Sequence, residues 1–85
     1  MEYSRVISEE EITRLGKGIA AVLRDQREKK ELSKNALAQK AGISVQSVAF
    51  IEDAVNSPSV STLLRICDAL GISPEKVFRE ARKRE

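Results

Sequence analysis

Val45-Gln46-Ser47 is followed by Phe50, and Gln46 and Phe50 share a face if this stretch is helical, because they lie four residues apart. A glutamine amide carries a donor and an acceptor side by side and can bond an adenine edge bidentately. Ser47 can reach a base or a phosphate, and Val45 and Phe50 can pack on thymine methyls. Each also has a plainer reading. Gln46 and Ser47 serve equally as polar surface, and Val45 as cover for a turn. Phe50 can instead tuck against the first helix or mark a protein-binding surface. Upstream, Ser33-Lys34-Asn35 has the make-up of a helix start, whose free amides favour a phosphate oxygen while the serine caps the helix. Arg27, Lys30 and Asn56 complete the set of candidate phosphate contacts; Arg27 and Lys30 alternatively only complement the dipole at the end of their own helix.

Other chemistry is poorly provided for. The 85 residues contain no histidine and one cysteine, Cys67, which excludes a disulfide framework, a Cys/His zinc site and imidazole catalysis. Cys67 falls on the apolar face of its helix and reads as core. Gly16-Lys17-Gly18 lacks the strand and spacing of a phosphate loop, and no residue pair makes a catalytic dyad, so no enzyme activity and no cofactor are expected. The Glu52 carboxylate suits a structural ion pair better than readout of cytosine. No apolar run approaches the ~18 residues of a membrane span, and MEYSRVISEEE has no signal core, so a cytoplasmic protein without a membrane partner is expected.

The elements that must position these residues are helices. Hydrophobic residues make up 41% of the chain and aromatics only 4%, so the core has to come from Leu, Ile, Val and Ala. Ser8 with Glu11 three residues on is a capping box, and Ile12, Leu15, Ile19, Val22 and Leu23 recur at helical spacing, giving a first helix over about 9–29. Gly16 and Gly18 weaken it or mark a close backbone approach. Ser33 caps a short helix ended by Gly42, Ser44 caps another from Val45 to about Glu52, and 53–58 reads as a loop. Ser59 caps a fourth helix with Val60, Leu63, Leu64, Ile66, Cys67 and Leu70 expected inward, stopped at Gly71. Ser73-Pro74 starts a fifth, bearing Val77, Phe78 and Ala81. Nothing alternates with period two, so the fold class is all-α with five helices.

Two short helices joined by a glycine-containing turn have the geometry of a helix-turn-helix. LSKNALAQKAGIS, VQSVAFIE and NSPSVSTLLRICDALGISPEKVF together resemble the phage repressor and Cro type of helix-turn-helix domain, the XRE type, over roughly residues 15–78. The matching positions include Leu37-Ala38, Ala41-Gly42-Ile43-Ser44, Val48, Ile51-Glu52, Leu63-Leu64 and Ala69-Leu70-Gly71. The resemblance implies a compact, lambda-repressor-like DNA-binding domain. It would span 9–78, with its motif at about 33–52, an N-terminal extension at 1–8 and a charged tail at 79–85. Departures from the family pattern fall where DNA is met: Lys34, Val45 and Phe50 replace its usual polar or basic residues, and the loop after Glu52 offers Asp53, Ala54 and Val55.

Charge is nearly balanced, 15 basic residues against 13 acidic, but it is unevenly spread. Residues 17–40 and 79–85 are basic, the rest acidic, which suits either a polyanion partner or a solvated helix face. The leading expectation is a sequence-specific transcriptional regulator, a repressor or autoregulator, that binds the major groove of a two-fold symmetric operator as a homodimer. A protein-interaction module on the same scaffold, such as an antitoxin or adapter with a second protein partner, is the alternative. Helices 1 to 4 hold enough apolar residues to close a core, so Val77, Phe78 and Ala81 are the expected dimer interface; Phe78 folding back between helices 1 and 4 is the other possibility.

Overall fold

The computed structural model describes residues 6–84, and among them every regular element is a helix. In chain order these are α1 (Glu9–Lys29), α2 (Lys34–Ala41), α3 (Val45–Glu52), α4 (Val60–Leu70) and α5 (Pro74–Lys83). Each begins at a serine. Ser8, Ser33, Ser44, Ser59 and Ser73 all sit in extended backbone and accept a hydrogen bond from the third helical amide. At Ser8 the bond is reciprocated, Glu11 accepting from the Ser8 N–H at 3.1 Å. Gly42 and Gly71 end α2 and α4 in the left-handed region, at φ +72° and +68°, where a Cβ would be strained.

Two other helix ends use the same geometry without glycine. Glu31 after α1 and Ala54 after α3 both have φ +57°. After α3, the turn is closed by the Val55 and Asn56 amides donating to the Phe50 carbonyl at 2.9 and 3.4 Å.

The core is aliphatic, as the shortage of rings requires. Val22 and Leu23 from α1, Leu37 from α2, Val48 from α3 and Ile66, Cys67 and Leu70 from α4 are nearly inaccessible. The inward set of α4 is narrower than the spacing suggests. Leu63, Ile66, Cys67 and Leu70 are buried, but Val60 and Leu64 are exposed. Those two lie one turn apart on a second apolar strip, outside the buried arc.

α5 departs further from expectation. Val77 and Ala81 are completely buried, and α5 makes the most extensive helix–helix contact of the fold, with α1. The contact is close because of Gly18: a Cβ there would stand 2.8 Å from the Ala81 carbonyl oxygen. Gly16 has no such neighbour within 4 Å. The core is therefore not complete without α5, and Val77 and Ala81 cannot form an intermolecular face while they fill it. Phe78 alone of the three remains half exposed, between α1 and α4.

Candidate nucleic-acid interface

α2 and α3 are joined by Gly42-Ile43-Ser44. The left-handed Gly42 lets the Ile43 amide return to the Ala38 carbonyl at 3.0 Å, and Ser44 at once caps α3. Buried Val48 and Ile51 press α3 onto the core and fix its rotation about its own axis. The opposite face is thereby presented outward: Val45, Gln46 and Phe50 are exposed and Ser47 is half-buried. The Ser44 hydroxyl lies 2.8 Å from that of Ser47 and accepts from its amide at 3.1 Å, so Ser47 is held in place with hydrogen-bonding capacity left over.

A second group lies at the start of α2. Ser33 Oγ accepts from the Ala36 amide at 3.0 Å, leaving the first two helical amides, those of Lys34 and Asn35, as donors without an intrahelical acceptor. Asn35 is exposed and Lys34 half-buried. Asn56 is exposed too, and its amide bond to the Phe50 carbonyl ties it to the end of α3. Phe50, Asn56 and Thr62 share a shallow cleft that joins α3 to the start of α4. The hydroxyls of Ser59 and Thr62, 3.0 Å apart, thus stand beside the candidate surface. Sequence reasoning missed Thr62; its signal was a second hydroxyl three residues after the Ser59 cap.

Arg27 does not belong to this surface. It is buried, its Nε and Nη2 donate to the two Glu52 carboxylate oxygens at 2.7 and 3.0 Å, and its Nη1 donates to the Leu32 carbonyl at 2.8 Å. A guanidinium buried and held in this way is withheld from a phosphate at the surface. Hydrogen bonding to Glu52 raises its pKa further, against the opposing effect of burial. Glu52, itself buried, is the ion-pair partner its position suggested. Lys30 extends towards Gly71, where its charge complements the carbonyl end of α4. α3 carries no basic residue, so positive charge near the surface comes from neighbours such as Lys34 and Lys40 on α2.

Among the described residues no group of His, Cys, Asp or Glu could hold a metal ion, and no helix is long and apolar enough to cross a membrane. What the surface can do is present an amide, hydroxyls and two apolar groups from one rigid short helix, flanked by free helix-start amides.

No curated protein matches the chain. Two crystal structures of the clp gene regulator ClgR from Corynebacterium glutamicum are similar, each at 29% identity over 81% of this chain. One superimposes with a TM-score of 0.76 over 90% of its own length, the other with 0.77 over 73%. A family model described as helix-turn-helix matches residues 23–77, from the last two turns of α1 to the first turn of α5. With the turn geometry, the outward face of α3 and that match in hand, this chain belongs to the XRE-type helix-turn-helix family of DNA-binding regulators.

Proposed function

We propose that the protein is a non-enzymatic, sequence-specific transcriptional regulator that acts in the cytoplasm as a homodimer, repressing or autoregulating through a two-fold symmetric operator. The observation that carries this reading is the rotation of α3: burial of Val48 and Ile51 leaves Gln46, Ser47, Val45 and Phe50 outward together. In the major groove Gln46 would bond a base edge, Ser47 a base or phosphate, and Val45 and Phe50 thymine methyls. Ser33, Lys34, Asn35 and Asn56 would hold phosphates, with Lys30 adding to the field from further away. Similarity to a gene regulator supports the same reading.

One feature favours the alternative, a protein-interaction module. α3 is free of Lys and Arg while exposing Val45 and Phe50, a composition that also suits a protein partner. Selection of genomic fragments with the purified protein separates the two. Enrichment of a shared, symmetric sequence, with affinity falling steeply as salt rises, is the expected result. Recovery of random fragments only, or none, would leave the protein-interaction reading standing.

A further inference from the structure

One face of the molecule is apolar, accessible and separate from the outward face of α3. Ile12 on α1, Val60 on α4 and Phe78 on α5 are 46%, 75% and 49% exposed, and they line one groove of about 350 Å³. Gly16 lies in its α1 wall. A glycine in mid-helix is destabilising, and here nothing inside the chain requires it, since a Cβ at Gly16 would meet no atom within 4 Å. Gly18, two residues on, is explained by Ala81; Gly16 is left as a hollow in the helix surface, open to something from outside.

We infer that a second copy of this chain fills it, with the two α1 helices crossing antiparallel; this rests on the reading of the protein as a two-fold regulator and names the face that makes the dimer. The patch is self-complementary, as a two-fold contact requires. Ile12 is a knob one helical turn from the Gly16 hollow, so an antiparallel crossing seats each Ile12 over the partner's Gly16. Charge follows the same symmetry. Glu9, Ile12, Thr13, Gly16 and Lys17 form one stripe of α1, acidic at its start and basic two turns later. The same crossing brings Glu9 towards the partner's Lys17, and the reverse. A partner with a uniformly acidic or uniformly basic surface would meet repulsion at one end of this stripe. Val60 and Phe78 then close over the outside of the crossing helices. The groove's other wall is the loop of Asn56 to Pro58, so the contact adjoins the segment tied to Phe50 without covering α3.

Sedimentation equilibrium tests this on the full chain, comparing wild type with Gly16→Gln and with a Val60→Glu, Phe78→Glu double variant. Val60 and Phe78 are exposed and a side chain at Gly16 would start in open space, and far-UV circular dichroism verifies that the variants stay folded. The wild type should be dimeric by about 100 µM, and both variants should dissociate at least ten-fold more readily. A wild type that stays monomeric at that concentration, or a folded variant that dimerises as well as wild type, overturns the proposal. Binding of wild type to a random-sequence duplex at low salt is measured alongside. Its absence removes the DNA reading and leaves the association result as it stands, so the two failures are separable.

Discussion

The Arg27 guanidinium lies edge-on to the Glu52 carboxylate, and both side chains are buried between the end of α1 and the end of α3. The third Arg27 donor, on the Leu32 carbonyl, adds the turn into α2. One guanidinium therefore holds the three segments that set how α2 and α3 face outward.

Removing either partner alone leaves a buried charge uncompensated. Glu52→Ala should destabilise the fold by about 3–5 kcal/mol. An Arg27→Met, Glu52→Leu double replacement should recover much of that loss, since two apolar side chains need no pairing. Urea denaturation of the three variants checks this; a double replacement no more stable than Glu52→Ala contradicts it.

Substitutions on the outward face should act on DNA and not on the fold. Gln46→Ala is expected to cost about 1–3 kcal/mol on the preferred site and to relax preference at one base pair. Lys34→Ala should weaken all sequences alike and lower the slope of log affinity against log salt by about 0.9. Titrations on matched and scrambled duplexes at several salt concentrations distinguish them. Unchanged site preference in Gln46→Ala would show that another residue reads the site.

The two glycines of α1 should respond in opposite directions to the same change. Gly18→Ala forces the α1–α5 contact apart and should cost about 1–3 kcal/mol. Gly16→Ala meets open space and should gain about 0.5–1 kcal/mol from helix propensity. Melting at low micromolar concentration, where association contributes little, gives both signs in one experiment.

Burial raises the Cys67 thiol above its ordinary value of 9.0. The unfolded chain then loses the proton before the folded one does, so this group favours unfolding as pH rises through about 9 and is silent below. A Cys67→Ala variant should show a shallower alkaline loss of stability than wild type, at the cost of lower stability at neutral pH. At pH 7 the native thiol should resist alkylation and react on addition of denaturant.

Most helix boundaries were legible because they are written in local chemistry: five serines start the helices and Gly42 and Gly71 stop two of them, whereas α1 and α3 end without a glycine. The outward residues of α3 were legible for a related reason, since Val48 and Ile51 leave only one way to turn so short a helix. Errors came where two apolar arcs compete on one helix. On α4, Val60 and Leu64 have the same spacing as Leu63 and Cys67, and only the way α4 packs on the other helices decides between them. On α5, periodicity cannot say whether Val77 and Ala81 or Phe78 faces α1; the Gly18 notch decides it. Arg27 had a readable signal that charge obscured, for it continues the Ile19, Leu23 stripe at four-residue spacing and so points inward.

The seating of Ala81 against Gly18 also bears on how the chain is made. Their separation in sequence means that the Gly18 face of α1, synthesised early, has nothing to cover it until α5 has left the ribosome. A product that ends behind α4 would carry the whole helix-turn-helix segment while the Gly18 side of α1 stays bare. Such a fragment would present itself to chaperones and proteases as unfinished. Fusing a long stalling sequence directly behind α4 or behind α5, and comparing protease resistance of the two arrested chains, would show whether docking of the last helix is the step that certifies a finished domain.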